Sequence, residues 1–264
     1  MSQQSSPSKR ERREAARSAR LERERAAAAS DARRRRLFQL GGLLAVAVAV
    51  IVVAIVISSS GGKKNASNGG SLTGAAATHA LIDGIPQSGI TLGNANAPVT
   101  VVEFADPQCP FCKQFTDGQL PQIIRQYVRT GKAKLQLRLL DFIGADSVKA
   151  ARVLSAAGQQ NKQWQALDLL YRNQGQENSG YMTDSFLRQV LSGAGANADT
   201  ALNAAASSAV SSELGTAQTM ASRYAVNQTP TILVGHSGGA LKKNTEPAPT
   251  AAGVGKMIDA AAKG

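Results

Sequence analysis

The stretch Val99–Lys113 constrains this chain more than any other. Val99-Thr100-Val101-Val102-Glu103-Phe104 is a β-branched, apolar run that reads as a buried strand. Asp106-Pro107-Gln108-Cys109-Pro110-Phe111-Cys112-Lys113 follows it directly and leads into a segment with helical character. The only two cysteines of the 264 residues therefore sit at a strand-to-helix junction, spaced C-x-x-C. That placement is expected of a thiol–disulfide redox site.

Two thiols this close would close a loop too short to stabilise a domain, because the benefit of a crosslink grows with loop length. Zinc needs four ligands, or three and a water. Only His79 and His236 remain as softer donors, one at a domain boundary and one in a Gly-rich turn. No metal site and no cofactor are therefore expected. Cys109, just before or within the first helical turn, faces free N–H groups and the positive end of the helix dipole. Lowering a thiol pKa by two units takes about 2.7 kcal/mol, and a helix terminus with one hydrogen bond can supply it. Cys112, one turn further in, is the expected resolving thiol. Pro110 fixes φ at the helix start and lacks an N–H that would have had no partner. Glu103 stands in an apolar strand six residues before Cys109. Alternation along the strand leaves two readings open: an exposed or locally paired acid, or a proton acceptor for Cys112.

Around this centre the chain divides into four parts. Residues 1–36 carry 12 Lys/Arg against 5 Asp/Glu, a net +7 out of the formal +12. Nucleic-acid binding is a poor account of this charge, since aromatics make up only 4% and the arginines lie outside any foldable domain. A cytoplasmic basic tail beside a membrane fits better. Residues 37–57 are 21 positions with Gln39 as the one polar member and no charge. As a helix they would extend ~31 Å, enough for a bilayer core of ~30 Å. Both the run and its leader are too long for a cleaved signal peptide, so a transmembrane signal anchor is expected. Arg33–Arg36 precede it and only Lys63 and Lys64 follow, which predicts a cytoplasmic N-terminus and an extracytoplasmic remainder. Residues 58–84 are Gly-, Ser- and Asn-rich and read as a flexible linker reaching roughly 25–30 Å.

Residues 85–264 form the expected working domain, of α/β class. A short edge strand at Gly89–Leu92 and a turn at Gly93–Pro98 precede the Val99–Phe104 strand. Helical segments follow, broken at Gly118 and restarted at Pro121, with Leu120, Ile123, Ile124, Tyr127 and Val128 at helical spacing. Lys134–Leu140 alternates apolar and polar residues as a second strand, parallel to the first across a βαβ unit. No strand signal occurs from Ser147 to Ala225; helices are predicted at Val148–Ala157, Trp164–Tyr171, Ser185–Leu191 and Thr200–Tyr224, with a cap at Thr183–Ser185. Thr231–Val234 is a strand with Pro230 at its threshold, Ala240–Lys243 can pair back, and Ala251–Ala262 is a closing helix.

The Gly89–Phe115 stretch, with its Ala-Pro-Val-Thr-Val-Val-Glu-Phe run and Asp-Pro-x-Cys-Pro-Phe-Cys-Lys, resembles DsbA-type thiol–disulfide oxidoreductases of the thioredoxin superfamily, in particular the membrane-anchored members of monoderm bacteria. Val226-Asn227-Gln228-Thr229-Pro230-Thr231 is similar to that family's cis-proline loop. The resemblance covers roughly residues 85–264. It implies a thioredoxin-like fold with a helical insertion, about 146–225, between βαβ and ββα halves. It implies Cys109 as the exposed nucleophile, Cys112 as its partner, Glu103 as a buried acid, and Thr229 with cis-Pro230 facing the cysteines and pairing with substrate backbone. Expected partners are thiol-containing exported proteins or peptides and a membrane redox protein that recycles the disulfide. Strongly oxidising members usually carry histidine between the cysteines; here Phe111 brings no charge. Oxidase, reductase and isomerase therefore stay open, beside a tethered chaperone or binding module of the same fold.

Overall fold

The computed structural model describes residues 72–263. The basic tail, the span over 37–57 and the first part of the linker lie outside these residues. Among the described residues no helix is long and apolar enough to cross a membrane.

The centre of the molecule is β3, Val99–Ala105, buried along its whole length. It pairs in parallel with β4, Ala133–Leu139, in the register Val99↔Ala133 to Ala105↔Leu139. On its other side β5, Thr231–His236, runs antiparallel. The remaining strands are β1, Gln87–Ser88, β2, Thr91–Leu92, and β6, Lys242–Lys243, giving the order β1-β2-β4-β3-β5-β6. Both edges are two residues long, and β6 exposes two lysines, so the sheet offers little to a stray strand.

A central strand covered on both faces must be apolar on both, which is why β3 shows no alternation. Val99, Val101 and Ala105 join the main core; Val102 and Phe104 join a second cluster with Leu233. Period-two geometry then puts Glu103 on the main-core face, with both cysteines. On that face lie α2, Pro110–Gly118, and α3, Leu120–Ile123, which runs into a π-helical turn at Ile124–Val128. Gln119 separates the two helices and Pro121 stands in the first turn of the second, as the sequence predicts. The closing helix, Ala251–Ala261, packs beside them, with Thr250 accepting the Gly253 N–H at 3.0 Å as its cap.

Between β4 and β5 come α4, Ala145–Gly158, α5, Gln163–Arg172, α6, Asp184–Gly193, α7, Ala198–Ala204, and α8, Ser208–Arg223. Thr183 caps α6, accepting the Phe186 N–H at 3.1 Å. The single helix expected over Thr200–Tyr224 is two. Ser207 leaves the helical conformation and its hydroxyl accepts the Val210 N–H, so a new helix starts there. That second helix covers the other face of the sheet, burying Ala217 and Ala221 against Val102 and Phe104, while Glu213 pairs with Arg138 at 2.8 Å.

The flexible linker expected to run to residue 84 is corrected over its last part. Ala75–Ile82 is a helix, α1, with Thr78, Leu81 and Ile82 buried. Its Ala-rich sequence favours helix, and polar anchors fix it to the domain. The Thr78 hydroxyl donates to Asp168 at 2.5 Å, Arg172 Nε donates to the same carboxylate at 2.7 Å, and Arg129 Nη2 donates to the carbonyl of Leu81 at 2.7 Å. His79, read as a boundary residue, contacts the Gly193 carbonyl at 2.8 Å and Asp83 at 2.9 Å.

Candidate active site

Cys109 is the N-cap of α2, with extended backbone (φ −67°, ψ 118°), and Pro110 is the first helical residue. The Cys109 N–H donates to the Asp106 carbonyl at 3.0 Å, closing the turn before the helix. In this position Sγ of Cys109 accepts the N–H of Cys112 at 3.4 Å, as a serine or aspartate cap would. Both cysteines are free thiols; the exposed nucleophile that the resemblance implies is corrected, since Cys109 is only 4% exposed and Cys112 is wholly buried. The Cys109 thiol donates to the carbonyl of Thr229 at 3.3 Å, and the Thr229–Pro230 peptide is cis. The structure thus brings the proline loop, 120 residues away in sequence, against the nucleophile candidate.

The two thiols are driven apart in acidity. Cys109 is lowered to about 6, first by the hydrogen bond from the Cys112 thiol; burial opposes this, and Thr229 and the N–H groups of Cys112 and Phe111 add to the lowering. Burial pushes Cys112 well above the ordinary thiol value, and the neighbouring Cys109 pushes it the same way. The sequence pointed to the helix terminus as the main cause; the larger contribution comes from the second cysteine itself.

Glu103 is 2% exposed, and burial alone pushes its carboxyl up to about 8. Its Oε1 has no hydrogen-bond partner among the described residues, and neither has the Thr116 hydroxyl, which lies one turn after Cys112 on the same face of α2. The structure thus sets aside the exposed or locally paired acid: Glu103 is buried, with no partner for Oε1 among the described residues. A carboxyl that keeps its proton near neutral pH can give that proton up or take it back as a neighbouring thiol changes state.

Asp106, Gln108, Ser147, Tyr171, Gln174 and Asn178 also shape the site, and sequence reasoning missed their part in it. Asp106 Oδ1 accepts the Gln108 N–H at 2.9 Å and the Ser147 hydroxyl at 2.6 Å, and Oδ2 accepts the Ile143 N–H at 3.2 Å. The buried phenol of Tyr171 donates to the Asp106 carbonyl at 2.8 Å. Gly144 has no room for a Cβ, because the Asn178 amide oxygen sits where one would be. Asp106 and Gln108 stand in the cysteine motif and were open to notice; Ser147, Tyr171, Gln174 and Asn178 lie 39 to 70 residues away from them and follow no local pattern.

Phe111 is 64% exposed, and Phe142, just beyond β4 at the cysteine end of the sheet, is 55% exposed. A groove of about 310 Å³ runs from Gln228 and Pro230 past Lys243, Asn244 and Glu246. Among the described residues no cluster of His, Cys, Asp and Glu is arranged to hold a metal.

A family model described as Thioredoxin matches residues 86–260. The chain is 34% identical over 103 residues to the Probable disulfide bond formation protein D of Bacillus cereus, covering 38% of this chain and 48% of that one. It is 40% identical over 73 residues to the Thiol:disulfide interchange protein DsbG of Escherichia coli, covering 28% and 27%. The matched part thus spans about half, or less, of these relatives' length. The structure of oxidised BdbD from Bacillus subtilis superposes with a TM-score of 0.58 at 23% identity, covering 68% of this chain and 98% of that one.

Proposed function

The chain belongs to the thioredoxin family, and on that premise we propose that it is an extracytoplasmic thiol–disulfide oxidoreductase that oxidises cysteine pairs of exported proteins. The observation that carries this reading is the opposed acidity of one adjacent pair: a Cys109 thiol lowered to about 6 beside a buried Cys112 thiol raised well above its usual value. Only the first is a good thiolate near neutral pH.

In the oxidised state a substrate thiolate attacks Sγ of Cys109. The Cys109–Cys112 bond breaks, a mixed disulfide forms at Cys109, and Cys112 leaves and takes up a proton. Glu103, protonated at neutral pH, is the proton source on that side of the pair. A second substrate thiolate then attacks its neighbour's sulfur in the mixed disulfide. Cys109 departs as the stabilised thiolate, and the substrate is released with a disulfide. Two electrons have moved from substrate to the cysteine pair, and a membrane redox partner removes them to restore the disulfide. The exposed Phe111 and the cis-Pro230 loop meet the substrate chain, with Thr229 and Pro230 pairing to its backbone.

A reduced state stabilised as a thiolate makes a disulfide more oxidising, which favours oxidase over reductase. Phe111 works the other way, since it adds no charge beside the thiolate. Isomerase action through the same site is the next reading, in keeping with the interchange relative. The uncharged run over 37–57 and the arginines before it support membrane tethering with this domain outside the cytoplasm. Equilibrating the pair against glutathione tests the direction: a potential near about −120 mV is expected of an oxidase, and one near about −270 mV would make the protein a reductase.

A further inference from the structure

The turn that presents Cys109 is held from outside by the helical lobe between β4 and β5. Residues Asp106–Cys109 leave β3 and set the backbone of the cap. Ser147 on α4 donates its hydroxyl to Asp106 Oδ1 at 2.6 Å, and Tyr171 on α5 donates its phenol to the Asp106 carbonyl at 2.8 Å. Gln174, just past α5, donates from Nε2 to the carbonyls of Pro107 and Cys109, both at 3.3 Å. Gln108 is gripped at both ends of its side chain: Oε1 accepts the Asn178 N–H at 2.7 Å, and Nε2 donates to the Ser147 hydroxyl at 2.9 Å. Ser147, Tyr171 and Gln108 are buried, so these bonds form where an unmade one is costly.

This grip matters for the sulfur because the contact that stabilises its thiolate is long. Sγ of Cys109 accepts the Cys112 N–H at 3.4 Å. A small displacement of the cap residue would lose it. Within the turn the Gln108 N–H meets Asp106 Oδ1 at 2.9 Å and the Cys109 N–H meets the Asp106 carbonyl at 3.0 Å; the bonds from outside come from Ile143 and the lobe.

We propose that Ser147, Tyr171 and Gln174 are positioning residues, through which the helical lobe holds the Asp106–Cys109 turn and so governs how readily Cys109 exchanges. The inference rests on the oxidoreductase reading above and adds which distant residues tune it. Loss of any one donor lets the cap drift, weakens the Cys112 N–H contact to Sγ, and makes Cys109 a poorer thiolate and the pair less oxidising.

The test uses the reduced full chain and measures its alkylation rate by iodoacetamide across pH. With only two cysteines, and Cys112 held well above the ordinary thiol value, the low-pH limb of the profile reports Cys109. Ser147→Ala, Tyr171→Phe and Gln174→Ala each remove one donor, and the first two keep the packing volume nearly intact. Each is expected to move the midpoint up from about 6, with about three- to tenfold less thiolate at any pH below it, and to lower the reduction potential. Thr183→Ala is the control: it removes the cap of α6 in the same lobe without touching the turn, and should lower thermal stability while leaving the midpoint in place. Unchanged midpoints in all three variants, or an equal rise in Thr183→Ala, would overturn the proposal. A parent protein that already titrates as an ordinary thiol would overturn the oxidoreductase reading instead, so the two failures are told apart.

Discussion

On the side of the cysteine pair facing Glu103, buried polar atoms go without partners; along Asp106–Cys109 they are engaged several times over. Among the described residues Glu103 Oε1 and the Thr116 hydroxyl are buried and unpaired, and Glu103 answers by holding its proton to about 8. Asp106, three residues on and as deeply buried, receives two backbone N–H groups and one hydroxyl on its carboxylate. The difference is one of task. A carboxyl with no fixed partner can change protonation as the thiols change state, whereas a carboxylate bound by three donors holds a backbone still.

The largest effect expected comes from removing the titrating acid. The unfolded chain ionises Glu103 near 4.5 and the folded chain near 8, so the folded state binds the extra proton between those values and loses stability as pH rises through them. At 1.36 kcal/mol per unit the loss approaches about 5 kcal/mol at alkaline pH. Glu103→Gln should abolish that slope in denaturant melts taken across pH, and should shorten the lifetime of mixed disulfides, because a Cys112 left without its proton attacks back as a thiolate. A parent whose stability is flat over this range would make the two sides alike.

Breaking the satisfied side has the opposite character. Asp106→Ala leaves the Gln108 and Ile143 N–H groups without their acceptor and should cost about 3 kcal/mol by denaturant unfolding at any pH above the carboxylate range. Phe111→His places a titratable cation beside the thiolate and should raise the potential by on the order of tens of millivolts without altering stability much. The smallest change is Thr183→Ala, about 1 kcal/mol of stability from a lost helix cap, with the chemistry untouched.

Legibility in the sequence follows the same division. The strand-to-helix cysteine motif, the parallel β3–β4 pair and the alternating face of β4 are local patterns, and they stand where the sequence predicts. The face of Glu103 was not legible, since a central strand is apolar on both sides and its period carries no signal. The bonds from Ser147, Tyr171 and Asn178 were hidden for a different reason. Each joins residues 39 to 70 positions apart, and a serine or tyrosine in a helix gives no sign of what it will meet. The α1 helix escaped notice because its anchors, Asp168, Arg172 and Arg129, lie far along the chain from a stretch flanked by Gly and Ser. Ser207 could have been read as a cap, and the split between α7 and α8 with it.

In the proposed mechanism Cys109 alone meets substrate while Cys112 stays inside. Trapping tests this most directly: full-length Cys112→Ala and Cys109→Ala are each expressed, free thiols are quenched with acid, and adducts are separated without reductant. Cys112→Ala is expected to accumulate mixed disulfides with exported proteins, collapsing on reduction, and Cys109→Ala none. Adducts forming at Cys112, or at neither cysteine, would contradict it.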